Sequence, residues 1–254
     1  LFKQIYMKNK KKFNFKLISF DKLNSTNLKL KSLIKKNKKS NYLCISANYQ
    51  SNGYGRNKAK WYSYVGNIHL SILIKPNCYL NKVNQLSFLT SVSLGELFYN
   101  LSKKVKINYK WPNDILLNKK KVAGIIIETS SNIKSKVNWV IIGVGINIKK
   151  YPKFEKIEFQ ATSLNKEKIF VQKRVALNLF INYFFNNYFD WKRNGFAKVK
   201  RKWLSNLYKE KNKIIVKSNN QIYKGIFVNL SNDGNLKLLI NKKIKIFSFG
   251  NQLV

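Results

Sequence analysis

Two periods of hydrophobic and polar residues alternate along this chain. Residues 15–20 alternate apolar and polar side chains, the period-two signature of a half-buried strand. Leu28, Leu30, Leu33 and Ile34 then recur at helical spacing, with Ser25 or Thr26 as a natural N-cap. Residues 42–47 and 67–74 are apolar runs of strand length. Over 83–101, Leu86, Leu89, Leu94, Leu97 and Leu101 share one broad helical face. Two apolar runs, 115–117 and 122–127, flank Asn118-Lys119-Lys120-Lys121 and predict a hairpin whose second strand is buried on both faces. A strand over 137–148, a long aromatic helix over 171–191 and a shorter helix over 196–207 follow. Past Lys209 the pattern changes. Residues 213–217, 221–230, 235–240 and 243–249 read as short strands between Asn-rich turns, the pattern of a small barrel. The class is α+β: a mixed β-sheet packed with helices over 15–207, and a small β-barrel over 208–254, behind a basic tail at 1–14.

Composition adds bounds to this picture. The 254 residues suffice for a domain plus a small module, and 44% hydrophobic content supplies a core. No apolar run is long enough to span a bilayer, and the start does not read as a signal peptide. Cys44 and Cys78 sit in strand-like runs and suggest neither a disulfide framework nor a metal site; a reducing, cytoplasmic location is the simplest reading. The charge is extreme: 50 Lys+Arg against 10 Asp+Glu, formally +40. Such a balance raises nucleic acid or an anionic membrane as partner. Yet only Arg56, Arg174, Arg193 and Arg201 are arginines, whereas base-reading surfaces favour arginine forks. The lysines are spread through a sequence rich in Asn and Ile. Those three residues share AT-rich codons, so mutational bias accounts for the charge without a function.

Three stretches carry candidate chemistry. Lys110-Trp111-Pro112-Asn113-Asp114 is a turn signal with both charge signs, and with Lys121 it sets two lysines and an aspartate at the ends of paired strands. By itself the hairpin fits a surface turn of a lysine-rich protein equally well. The loop after residue 47 contains Gly53-Tyr54-Gly55-Arg56, two glycines that allow close ligand approach beside a fixed cation. Gly143-x-Gly145-x-Asn147 weakens a strand interior, which fits either a bulge or a close approach of another group to the backbone. The lone His69 has no nucleophile to pair with and reads as a packing residue.

KWPND followed by KVAGI-x-x-E resembles the signature of the biotin–protein ligases (biotin–[acetyl-CoA-carboxylase] ligases), nearly letter for letter. The glycine loop is similar to the family's Q-x-x-G-R-G-R-x-x-x-x-W, with Gln50, Gly53, Gly55, Arg56 and Trp61 matching and Tyr54 standing where many relatives have arginine. The resemblance implies a catalytic set of Arg56, Lys121, Asp114 and Lys110. It implies a biotin site from Ser25, Thr26 and Asn27, which would hold the ureido ring, with Gln50, Gly53, Tyr54, Gly55, Arg56, Lys121, Gly124, Gly143 and Gly145. Arg56, Trp61, Asn113, Lys121 and Asn147 would hold ATP and the adenylate. Mg²⁺ would accompany ATP, with its ligands undecided between Asn113 and Asp114. Ala161-Thr162-Ser163-Leu164 is also family-like, in a region that orders over the adenylate in relatives, and the C-terminal strands resemble an SH3-like domain.

The implied activity is ATP-dependent attachment of biotin, through biotinyl-5'-AMP, to one lysine of the biotin carboxyl carrier protein of acetyl-CoA carboxylase. Some family members carry an N-terminal helix-turn-helix domain and double as repressors. The residues ahead of the core are too few for one, so a short form without sequence-specific DNA binding is expected, with no membrane partner and a homodimer left open. Two rivals remain. A lipoate–protein ligase shares fold and chemistry, although KWPND with GVGIN favours biotin. A nonenzymatic nucleic-acid-binding protein would show clustered arginines and aromatic platforms on one face, and neither is visible.

Overall fold

A computed structural model describes residues 15–36, 42–153, 160–209 and 212–253. The predicted basic tail and part of the segment expected to order over an adenylate lie outside the described residues. The first sheet contains β1 (Lys16–Leu23), β2 (Tyr42–Gln50), β3 (Ile68–Ile74), β4 (Ile107–Lys110), β5 (Asp114–Leu117), β6 (Lys120–Ser131) and β7 (Val137–Ile146). Its order is β1-β2-β3-β7-β6-β5-β4; β1 and β2 are parallel and the other neighbours antiparallel. The sheet is therefore mixed, as the α+β reading requires.

Side chains alternate across this sheet, and each face has its own cover. Leu43, Ile45, Leu73 and Ile141 pack with Leu30 of α1 (Thr26–Lys35) on one face. Cys44, Leu70, Ile72 and Ile142 join the large core on the other, under α2 (Asn84–Leu101), α3 (Lys173–Asn194) and α4 (Ala197–Leu204). The predicted broad face of α2 becomes nearly the whole circumference, because Thr90, Ser91 and Ser93 are buried as well. Their hydroxyls bond back to the carbonyls of Leu86, Ser87 and Leu89, so each polar group is satisfied within the helix. The predicted two-sided burial of the second hairpin strand holds only for its first half. Val122, Ala123 and Ile125 are buried, while Ile126 and Ile127 are partly exposed.

The second sheet holds β8 (Lys213–Ser218), β9 (Gln221–Leu230), β10 (Leu236–Ile240), β11 (Lys243–Phe247) and β12 (Asn251–Leu253), in the order β11-β10-β9-β8-β12 and antiparallel throughout. The strands form an open order consistent with an SH3-like module. Its inner residues Ile214, Val216, Leu236, Leu238 and Phe247 belong to the same hydrophobic core as α2 and the first sheet. Polar ties reinforce the contact: Gln85 Nε2 donates to Asn232 O at 2.7 Å, and Gln252 Nε2 to Tyr208 O at 2.8 Å. No helix among the described residues is long and apolar enough to cross a membrane.

Candidate functional site

Three transverse rows of the first sheet build the site. One row runs Ala47–His69–Gly145–Gly124–Asp114–Lys110 across six strands, so four candidate site residues, Gly145, Gly124, Asp114 and Lys110, stand opposite one another on four adjoining strands. The next row runs Ile45–Ser71–Gly143–Ile126, and the third Leu43–Leu73–Ile141–Glu128. Directly opposed residues share a face. Here it is the α1 face, and its character changes from aliphatic beneath the helix to polar and glycine-rich beyond the helix N-terminus. There a cavity of about 560 Å³ opens. All the candidate site residues line it except Gly53. Gly53 sits behind the loop, where an added Cβ would come 2.9 Å from Gln50, Ser63 and Trp61.

The end of the cavity beneath α1 is neutral and already bonded. Ser25 occupies the N-cap position with an extended backbone, yet its side chain makes no capping bond. Gln50 takes that role from β2: its Oε1 accepts from Thr26 N at 2.9 Å and from Thr26 Oγ1 at 3.1 Å, and its Nε2 donates to Ser63. One of the backbone N–H groups left open at this helix start is thus already bonded. Asn27 Nδ2 donates to Glu128 Oε2 at 2.7 Å, while Asn27 Oδ1 faces Ser71 Oγ at 2.5 Å. Ser71 also lies 2.7 Å from Thr26 Oγ1, so its single proton serves one acceptor at a time. Glu128 fixes the orientation of the Asn27 amide and further accepts from Lys31 at 2.5 Å and from Tyr54 OH at 3.1 Å. Burial and the Glu128 carboxylate push the Tyr54 hydroxyl up to about 12, so it donates to Glu128 as a neutral phenol.

The glycines answer what approaches the β7 backbone. A Cβ on Gly143 would come 2.7 Å from Asn27 Oδ1, and one on Gly145 would strike the Trp61 ring. The close neighbours are this chain's own side chains, laid over the two glycines that the resemblance assigns to the biotin site. Trp61 also covers Gly124, and its buried Nε1–H has no acceptor among the described residues.

The other end carries charge. Arg56, Lys60, Lys110 and Lys121 line it, with Asp114 as the sole carboxylate in the lining among the described residues. The β5–β6 ladder slips by one residue between Ile115 and Leu116, setting Lys121 opposite Leu116 and so on the Asp114 face. Lys121 Nζ then pairs with Asp114 Oδ1 at 2.7 Å. Asn113 pins this turn through Nδ2 to Ile125 O at 2.6 Å. Arg56 reaches across to the second sheet, where Nη1 donates to Gly250 O and to Asn251 Oδ1, each at 3.0 Å. Burial lowers the Arg56 pKa while Asp114 opposes that shift. Gln252 Oε1, next along β12, accepts from Trp111 N at 3.1 Å. Asn147 is structural as well as cavity-lining: its Nδ2 holds Thr162 O at 3.1 Å, which fixes the Ala161–Thr162 segment beside Lys121.

Two sets of residues went unread in the sequence. Glu128 was the last letter of the hairpin motif and received no role. Asn251 and Gln252 stand on a three-residue strand without a hydrophobic pattern. His69 is buried as read; its Nε2 meets Tyr64 O at 3.2 Å, and burial lowers its pKa to about 4, so the ring is neutral. Among the described residues no group of three or more His, Cys, Asp or Glu is placed to hold a metal.

This geometry has known counterparts. The model of the Biotin/lipoate A/B protein ligase family matches residues 19–147, about half of the chain. The chain belongs to this family, and it is a ligase. It is 30% identical over 235 residues to the bifunctional ligase/repressor BirA of Bacillus subtilis, covering 90% of this chain and 71% of that protein. It is 28% identical over 199 residues to the biotin–[acetyl-CoA-carboxylase] ligase of Paracoccus denitrificans, covering 76% and 82%. Among solved structures, the biotin protein ligase from Aquifex aeolicus in complex with biotin and ATP superposes with a TM-score of 0.78 at 26% identity, covering 93% of this chain and 97% of that one.

Proposed function

We propose that this protein joins biotin to AMP and passes the biotinyl group to one lysine of a biotin carboxyl carrier domain of acetyl-CoA carboxylase. The observation that carries the reading is the polarity of the cavity. Its inner end offers neutral amides and hydroxyls suited to a ureido ring, and its outer end offers Arg56, Lys110 and Lys121 around one carboxylate. A molecule that is neutral and polar at one end and an acid at the other fits that gradient, and biotin is one.

A carboxylate is a poor acyl donor because its leaving group would be oxide. In the first step a biotin carboxylate oxygen attacks the α-phosphorus of ATP, the bond to the β-phosphate breaks, and pyrophosphate leaves. Two anions must meet, so fixed cations offset their repulsion and stabilise the charge that develops. Arg56 and Lys121 take that role, with Lys110 beside them. Trp61 supplies an aromatic surface and a free N–H donor for the adenylate. Mg²⁺ would enter with the nucleotide phosphates, because Asp114 is committed to Lys121 and Asn113 to Ile125 O. In the second step the uncharged ε-amine of the acceptor attacks the acyl carbon and AMP departs with the bonding pair. The amine loses one proton, and Asp114 is the carboxylate at hand to receive it. Residues 15–207 would hold this chemistry, with 208–254 as the SH3-like module. The need for ATP and the free thiols of Cys44 and Cys78 fit the cytoplasm.

The test supplies biotin, ATP and Mg²⁺ with a carrier domain. Release of pyrophosphate and covalent label on one carrier lysine are expected. A folded protein that labels no carrier would overturn the proposal, and label from lipoate but not biotin would move it to the other branch of the family.

A further inference from the structure

The outer face of the second sheet is apolar where the fold does not need it to be. Ile222, Ile226, Ile244 and Ile246 are 58%, 49%, 59% and 54% exposed. Register places them together: Ile226 stands opposite Leu239, and Leu239 opposite Ile244, a row of aliphatic side chains across three strands. The inner face is already filled by Leu238, Phe247 and their neighbours. Lysines interleave the outer row. Lys213 is opposite Ile226, Lys217 opposite Ile222, Lys237 opposite Ile246, and Lys224 shares the face. These strands bring no carboxylate to it. At its near edge Lys217 stands opposite Asn251, the residue that accepts from Arg56 and lines the cavity. The face therefore begins at the wall of the site and extends away from it.

An exposed aliphatic patch this continuous marks an interaction surface. Its charge selects the occupant. A second copy docking face to face would set lysine against lysine in a chain of formal charge +40. Nucleic acid would satisfy the lysines but gain nothing from isoleucine side chains, which cannot stack on bases. An acidic protein domain with an aliphatic patch satisfies both. On the biotin-transfer reading, the second substrate is a protein that must present one lysine to this cavity. We propose that the acceptor protein docks on this outer face through aliphatic side chains ringed by carboxylates, and that docking sets its lysine at the cavity wall. The inference rests on that reading.

The test uses the full chain carrying Ile226→Glu with Leu239→Glu, and a milder pair, Ile226→Ser with Leu239→Ser, in case the first does not fold. Biotin-dependent exchange of pyrophosphate into ATP reports the first step without the acceptor. Capture of biotinyl-AMP by hydroxylamine reports transfer to a small nucleophile. Labelling of a purified biotin carboxyl carrier domain reports docking. Exchange and hydroxylamine capture should match the parent, while the KM for the carrier domain rises about tenfold or more. A carrier KM within about twofold of the parent, with exchange intact, would overturn the inference. So would variants that keep the carrier KM but lose self-association, or lose retention on phosphatidylserine vesicles, because the face would then belong to a second copy or a membrane. Absence of exchange in the parent protein would instead remove the underlying reading, so the two failures are distinguishable.

Discussion

The two ends of the cavity are held in different ways. At the inner end, Thr26, Asn27, Gln50 and Ser71 bond to one another from α1, β2 and β3, and Glu128 anchors them from β6. All stand on or at the end of regular elements of one sheet layer. At the outer end, Lys121 is set by a bulge and Arg56 by a loop whose anchor is on a different sheet. A ligand entering the inner end must replace bonds that already exist between good partners, so it gains little per bond and is selected by geometry. A phosphate at the outer end replaces the neutral acceptors Gly250 O and Asn251 Oδ1 at Arg56 with a charged one, which is a net gain. The inner end is built to choose a molecule, and the outer end to hold a charge once it forms.

Replacing Lys121 with methionine tests that division most severely. The unbranched apolar stem is kept, Asp114 loses its partner, and the cation at the reacting phosphate is gone. Formation of the adenylate should fall by about 10²–10³, in the range for removing one preorganised donor at a developing charge, while the dissociation constant for biotin without nucleotide moves little. Pyrophosphate exchange and calorimetric titration read the two quantities. An equal loss in both would show that Lys121 serves selection as much as chemistry.

Arg56→Gly should come next in size. The lost contact is to phosphate, worth about 1.5–3 kcal/mol for a charge-assisted bond, so biotinyl-AMP should dissociate roughly ten- to a hundredfold faster while biotin is barely affected. Leaked adenylate would acylate bystander lysines, which mass spectrometry detects. Asn251→Ala sharpens the result. It leaves the guanidinium in place but removes one of the neutral acceptors that a phosphate must displace, so its effect should run the other way, slowing release by about 1 kcal/mol. Unchanged release from Asn251→Ala would mean that the second sheet does not hold Arg56 in the working enzyme.

Much of the architecture was legible because local pattern and tertiary environment agreed. The hairpin after KWPND, the aromatic helix and the strands past residue 212 follow from periodicity and turn residues alone. What escaped depends on long-range partners. Gln50, not Ser25, caps α1 across 24 residues of sequence. Glu128 meets Asn27 across 101 residues, and Arg56 meets Asn251 across 195. No window of sequence contains such pairs. β4 and β12 were missed because they are four and three residues long, too short to show a period, and are strands only because a neighbour supplies the ladder. The close approach at Gly143 and Gly145 was legible as missing side chains, but which groups would fill the space was not.

The smallest expected effect belongs to Tyr54, and it bears on the boundary between the two ends. Its loop carries Arg56 outward, while its own hydroxyl points inward to Glu128 at 3.1 Å. Tyr54 therefore ties the loop to the inner network, a link that an arginine at this position would make as a cation instead. Tyr54→Phe removes the hydroxyl and keeps the ring. Asn27 and Lys31 still hold Glu128, so the inner network should survive, with a loss of about 1 kcal/mol and about fivefold in biotin affinity. Tyr54→Arg would restore a donor to Glu128 and add a cation, so biotin affinity should return while retention of biotinyl-AMP rises above that of the parent. Stopped-flow dissociation of each ligand from the three proteins separates these effects. A Phe variant indistinguishable from the parent for both ligands would show that loop and inner network are independent, and the two ends would then have no physical link through Tyr54.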